Sequence, residues 1–248
     1  MFTVAIVRYN GVVWQNWGWI ISWEDYKHFF PEHQLAVFVG SLLGDGRLEC
    51  RSVGVRGPRT ARFRVHHGHK QSDYVHWKYE QLKAMCGKGP REITRFDRKR
   101  DIEEVSWYFH TKSTQSLGVL HEVFYHEGKK ILPQVLEKLL TPEALAIWYM
   151  DDGCLTLNSV VLNTHSFSKE EHEYLQRYFA VMHGLITTIV RDRSQVKLRI
   201  GASQYQHFLN IIKPFIIPTM TYKLVYPRND LCLPKSGSEY VLQKLQSC

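Results

Sequence analysis

The sequence predicts an α+β fold built twice over, with two pseudo-symmetric αββαββα halves, each carrying an antiparallel sheet, joined at a central pair of helices. Three observations predict it. Two apolar stretches, HQLAVFVGSLLGDG (33–46) and TPEALAIWYMDDG (141–153), both run as helices into a carboxylate followed by glycine. Behind each comes the same order of strand runs, capped helix, strand runs and helix. The strand runs alternate polar and apolar residues and come in adjacent pairs, so they read as hairpins rather than crossover units. The divisions implied are an N-terminal extension at 1–32, a first half at 33–140, a second half at 141–226 and a tail at 227–248.

Taken in order, residues 3–21 are two β-rich runs around Asn10-Gly11, the dipeptide that a tight hairpin turn requires. Ser22 to Asp25 resembles a capping box that opens a short helical piece before Pro31. The helix at 33–46 carries Gly40 and Gly44 four apart on one face, where a second backbone can approach. Taken alone it reads better as an ordinary core helix with Gly46 as its C′ residue. Strand runs at 47–55 and 60–69 follow, then a helix at 72–86, strand runs at 92–96 and 105–111, and a helix from Thr114-Gln115.

The second copy opens more clearly. Thr141 is a good N-cap, Pro142 fits the first turn and Glu143 suits the positive helix end. Leu145, Ile147, Trp148, Tyr149 and Met150 leave almost no polar face, so this helix is expected to be buried all round. Shorter runs across 155–167, a helix opened by the capping box at 168–171, runs at 187–191 and 196–200, and a helix from Ser203-Gln204 complete the repeat. Each half ends on a lysine shortly before a proline, Lys130 before Pro133 and Lys223 before Pro227. The interval from acid to the next glycine landmark is longer in the first copy (Asp45 to Gly87) than in the second (Asp152 to Gly184), and the extra length falls in the first hairpin.

The 248 residues carry a net charge of +8, from 32 Lys and Arg against 24 Asp and Glu, which points to a polyanionic partner. The charge is not evenly spread. Residues 47–70 hold Arg47, Arg51, Arg56, Arg59, Arg62, Arg64 and Lys70 with three histidines, against the single acid Glu49. Arg62, Arg64 and His66 alternate with Phe63 and Val65, so one face is polar and the other apolar. A ribbon of that kind fits a DNA major groove. Arg191, Arg193, Lys197 and Arg199 extend the basic surface in the second copy. Five scattered cysteines form neither a CxxC pair nor a zinc spacing and suggest an intracellular, reducing compartment. No stretch reaches the ~20 apolar residues of a membrane span, and no signal peptide is legible.

Carboxylates at the C-termini of buried helices face the negative end of the helix dipole and need a cation, a divalent metal being the obvious one. With two such ends, the residues resemble the LAGLIDADG homing endonucleases in their single-chain, two-motif form. FVGSLLGDG (38–46) and LAIWYMDDG (145–153) occupy the two motif positions, and the resemblance spans residues 33–226. The second half, through VVLNTHSFS and IIKPFIIPTMTYKL, is similar to an intron-encoded yeast mitochondrial member.

The resemblance implies a site-specific endonuclease that makes a double-strand break with 3′ overhangs in a long asymmetric duplex, acting as a monomer. Asp45 and Asp152 become the metal-binding carboxylates, with Mg²⁺ as cofactor and Mn²⁺ as its substitute, and the carbonyls of Gly44 and Asp151 become further metal ligands. Lys130 and Lys223 correspond to basic residues beside the scissile phosphates, although each also reads as a surface or structural lysine. The small motif residues are Gly40 and Gly44 in the first helix but Ile147 and Asp151 in the second, so asymmetric packing is expected. Two alternatives share the scaffold, an RNA maturase that binds host intron RNA and a non-catalytic DNA-binding protein. An intein-embedded nuclease is not expected from the Met-Phe and Gln-Ser-Cys ends. Organelle and microbial cytoplasm are not distinguished.

Overall fold

The computed structural model describes residues 8–9, 12–13, 29–50, 59–192 and 195–225. The chain divides into two compact units, Met1–Glu32 and His33–Cys248, and both repeats lie in the second. In the first unit β1 (Arg8–Tyr9) pairs antiparallel with β2 (Val12–Val13), while the Asn10-Gly11 turn expected there lies outside the described residues. The capping box at 22–25 lies outside the described residues.

The first half runs α1 (Glu32–Leu43), β3 (Arg47–Cys50), β4 (Ala61–Gly68), α2 (Ser72–Leu82), β5 (Arg91–Asp97), β6 (Ile102–His110) and α3 (Gln115–Phe124). A short hairpin, β7 (Tyr125–His126) and β8 (Lys129–Lys130), and a turn of helix, α4 (Leu136–Leu139), connect it to the second half. That half runs α5 (Pro142–Asp152), β9 (Gly153–Leu155), β10 (Val160–Leu162), α6 (Lys169–His183), β11 (Thr187–Asp192), β12 (Gln195–Ile200) and α7 (Tyr205–Ile212), followed by 3₁₀ turns at Lys213–Phe215 and Pro218–Leu224. Local chemistry explains the ends. Thr141 accepts from Ala144 N, Ser168 and Glu171 form a complete capping box, and Gly184 closes α6 in the left-handed conformation at φ 64°.

The two sheets have one topology. Their orders are β3-β4-β6-β5 and β9-β10-β12-β11, so in each the second and fourth strands of the half are central and all neighbours are antiparallel. The repeat read from the sequence is thus present in the strand order, which the sequence did not specify. Among the described residues no helix is long and apolar enough to cross a membrane.

α1 and α5 form the centre. Every residue from Leu35 to Leu43 and from Ala144 to Asp151 is buried, so neither helix keeps a wet face. A Cβ added to Gly40 would lie 2.4 Å from Ala144 O and 2.6 Å from Ile147 Cβ, and one added to Gly44 would lie 2.5 Å from Asp151 Cβ. The residue pairs advance together along both helices, so the helices run in the same direction and end at the same place. Glycine on α1 receives the larger side chains of α5, which is the asymmetric packing that the two motifs predict.

Gly40→Ala is therefore expected to cost about 1–3 kcal/mol, the usual penalty of overpacking, because one of the atoms in its way is backbone. Denaturant unfolding of the variant checks this. Gly68→Ala, where an added Cβ meets nothing within 4 Å, is the control.

Candidate active site

The acids sit where the paired helices end. Gly46 N donates to Ser41 O at 2.7 Å to close α1, and Gly153 N donates to Tyr149 O to close α5. Strands β3 and β9 begin at once, so each acid lies at the point from which a sheet springs.

The two lysines complete these ends symmetrically. Lys130 Nζ donates to Gly44 O at 3.0 Å and Gly46 O at 2.9 Å. Lys223 Nζ donates to Asp151 O at 3.1 Å and Gly153 O at 3.2 Å, and also reaches Met150 O at 2.5 Å. In both halves the ammonium thus holds the carbonyls on either side of the acid, neutralising the negative helix end. Lys130 is set by the β7–β8 turn, where Glu127 and Gly128 take positive φ, and by Tyr125, whose hydroxyl accepts from Leu48 N at 3.1 Å. Lys223 is buried, and Tyr149 Oη donates to its carbonyl at 2.6 Å.

The carbonyls of Gly44 and Asp151 therefore already have ammonium partners. Each carbonyl oxygen has a second lone pair, so an ammonium on one side leaves the other able to meet a metal. The Asp151 side chain is equally committed. It accepts from Lys78 Nζ at 2.7 and 3.0 Å, with both side chains fully buried.

Lys78 was not singled out in the sequence, yet a signal existed. It stands four residues from both Tyr74 and Leu82 on the buried face of α2, and a lysine on an apolar stripe implies a buried anion. His67 lies between the acids, 3.6 Å from Asp45 Oδ2 and 3.9 Å from Asp151 Oδ1, with Nε2 buried and without a hydrogen bond.

Electrostatics follow from this crowding. Burial, then the charges of Asp45 and Asp151, push the Asp152 carboxyl up to about 8. Burial and Asp151 also raise Asp45. Burial lowers Lys223 to about 8 against the pull of the three aspartates, and lowers Lys130. Burial and the Lys78 charge take His67 down to about 4.

The sign of a stability effect can be worked out. Asp152 keeps a proton in the folded chain that the unfolded chain has released above pH ~4, so this group lowers stability as pH rises to about 8. His67 acts oppositely, but only between about 4 and its ordinary 6.5. Between pH 6.5 and 8 the His67 effect is complete and the Asp152 effect continues, opposed near pH 8 as Lys223 begins to lose its proton in the folded chain. Chelator-treated protein is expected to lose about 1 kcal/mol of stability across that window, measured by urea unfolding, and Asp152→Asn to flatten the slope.

The predicted contact residues divide. Arg47, Arg62, Arg64 and His66 share the outer face of the first sheet, opposite the buried Leu48, Phe63 and Val65. Arg59 is an exposed side chain 3.6 Å from Glu122, and Lys70 is exposed on the 3₁₀ turn after β4. Lys197 and Arg199 alternate with buried Leu198 and Ile200 on the second sheet, and Arg191 is exposed on β11. Arg51, Arg56 and Arg193 lie outside the described residues.

The profile of the LAGLIDADG DNA endonuclease family matches residues 35–208, which includes both helix ends and both sheets. The chain belongs to that family. It is 32% identical over 210 residues to the DNA endonuclease I-ChuI of Chlamydomonas applanata, covering 78% of this chain and 94% of that protein. It is 30% identical over 199 residues to the cytochrome b mRNA maturase bI2 of Saccharomyces cerevisiae, where the match covers 77% of this chain and 47% of the maturase. A RecA protein of Mycolicibacterium flavescens matches at 30% identity over 80% of this chain and 48% of its own length. Among solved structures, the homing endonuclease I-WcaI bound to its DNA recognition sequence superposes with a TM-score of 0.72 at 25% identity, covering 83% of this chain and 92% of that one. The LAGLIDADG fold, with its two related halves on one chain, is therefore this chain's fold.

Proposed function

We propose that this chain is a site-specific homing endonuclease that hydrolyses both strands of a long, asymmetric DNA duplex with a divalent cation, leaving 3′ overhangs. The observation that carries this reading is the convergence of Asp45 and Asp152 at the common end of α1 and α5, each at the root of a basic antiparallel sheet. Similarity to I-ChuI over nearly its full length supports the nuclease reading over the other two.

The residues fit a hard cation such as Mg²⁺ or Mn²⁺. Two carboxylates with raised proton affinity lie at the adjoining helix ends, and among the described residues no group of three or more His, Cys, Asp and Glu is placed to hold a metal. A softer ion needs nitrogen or sulfur ligands, whereas Mg²⁺ is satisfied by one or two carboxylates with water and phosphate oxygens. When bound, the cation supplies an activated water and stabilises charge on the phosphate and leaving oxygen. Asp45 and Asp152 hold it. Lys130 and Lys223 fix the backbone on both sides of each acid and add positive charge beside the phosphate. The two unlike halves read unlike sequences, each over about one helical turn, ~10 base pairs, so a monomer recognises an asymmetric site.

The bI2 relative keeps a second reading in play, a role in RNA splicing with host intron RNA as partner. Cleavage selection separates them. A plasmid library with a randomised insert is incubated with wild-type protein and Mg²⁺, and linear products are sequenced at their ends. Recovery of one extended sequence with staggered ends, absent with chelator, is the expected result. Tight DNA binding without any nick in Mg²⁺ or Mn²⁺ overturns the enzyme reading.

A further inference from the structure

On the outer face of the first sheet one acid, Glu49, sits within a cluster of three arginines. Glu49 Oε1 accepts from Arg47 Nη2 at 2.8 Å and from Arg64 Nη1 at 3.4 Å, and Glu49 Oε2 accepts from Arg62 Nε at 2.7 Å. The strand register forces this meeting, because Glu49 lies across from Arg62 and Arg47 across from Arg64. Arg64 is held from a second side by Tyr108, whose ring centroid is 5.5 Å from Cζ. The Glu49 side chain is 21% exposed, so the carboxylate sits within the cluster, and a shallow groove lined by Glu49, Arg62, His110 and Lys112 leaves it open to a ligand. Partial burial pushes the Glu49 carboxyl up, but hydrogen bonds and charge from Arg62, Arg64 and Arg47 outweigh this and hold it below its usual range. It is an anion at any pH at which DNA is bound.

An acid is unhelpful on a surface that only has to hold phosphate. It removes one positive charge from the cluster and adds repulsion to the DNA backbone. It is useful where arginine must read a base. A guanidinium presents five donors in a rigid plane, and a carboxylate on one edge fixes that plane and leaves the other edge for the O6 and N7 acceptors of guanine.

Resting on the DNA-cleavage reading above, we propose that Glu49 is a specificity-determining residue that orients Arg62 and Arg64 to read guanines in the half-site bound by the first sheet. Glu49 acts through the two arginines and does not itself touch the reacting phosphate. The substrate class is thereby narrowed to duplexes with guanine at the two positions under these side chains.

The test is parallel selection from a randomised duplex library with wild-type protein and Glu49→Gln, in Ca²⁺ so that affinity is read apart from cleavage. Random-sequence duplex measures non-specific binding over a salt series. Wild type is expected to select two guanines in one half-site. Glu49→Gln is expected to lose about tenfold in preference at those two positions only, to bind random duplex more tightly, and to show a salt slope steeper by about one unit. Tyr108→Leu is expected to relax the position read by Arg64 and leave that of Arg62, and unfolding curves confirm that each variant is folded. Equal sharpness at every position for wild type and Glu49→Gln overturns the role of Glu49 while the nuclease reading stands. Failure of wild type to select any sequence overturns the DNA reading itself, and this proposal with it.

Discussion

Asp152→Asn is expected to lower double-strand cleavage by about three orders of magnitude or more while leaving the affinity for the selected duplex within about threefold in Ca²⁺. The size follows from what the carboxylate does. In the proposed reaction it would be one of two anionic ligands for the catalytic cation, and losing a single fixed charge-stabilising contact already costs about 10²–10³ in other enzymes. The selectivity follows from where it sits. Asp152 lies at a helix end, whereas the sequence contacts proposed above come from strand residues such as Arg62 and Arg64. Asparagine also removes the clash of charge with Asp45, so the variant is expected to be no less stable than the parent without metal. Gel-resolved nicking and cutting, with binding measured in parallel, checks both parts. Cleavage of both strands at a parental rate would remove Asp152 from the site even though the family assignment stands.

Much of this site is legible in the sequence because its chemistry is local. A buried helix that ends Asp-Gly is readable from thirteen residues, and its repetition 107 positions earlier, at Asp45, from a comparison of two strings. The sheets are legible as hairpins for the same reason, since alternation such as Arg62-Phe63-Arg64-Val65 is set by neighbours. What is hidden depends on pairs far apart in the chain. The joining of β4 to β6, which makes one sheet from two hairpins, rests on contacts such as Val65 with Phe109.

The lysines show the boundary clearly. Their matched positions mark them as a pair, but the sequence gives no reason for Lys130 to hold Gly44 O and Gly46 O rather than a phosphate. Only the folded β7–β8 turn brings the ammonium to the helix end. His67 is hidden similarly, because its place between Asp45 and Asp151 is decided by strand pairing that no local pattern reports.

The pair whose loss is expected to destabilise most is Lys78 with Asp151, of which the sequence singles out only the acid. Lys78→Met is predicted to cost about 3–5 kcal/mol, since it strands the Asp151 carboxylate in the core against Gly44, where the other base at salt-bridge distance among the described residues is His67, 3.9 Å away and held neutral by burial. Lys223 does not substitute, because its ammonium meets the Asp151 carbonyl rather than the carboxylate. Removing both charges tests this reading. Lys78→Met with Asp151→Ala leaves a small void but no buried ion, and is expected to recover more than half of the loss, which a double-mutant cycle from urea unfolding measures. If the double variant is as unstable as the sum of the singles, the two residues act independently and α2 is held to the helix pair by packing alone. Recovery instead identifies Asp151 as the anchor that joins α2, from the first half, to α5, from the second. The adjacent acids then divide the work of the second motif, with Asp151 fastening the halves together and Asp152 meeting Asp45 in the space that this fastening creates.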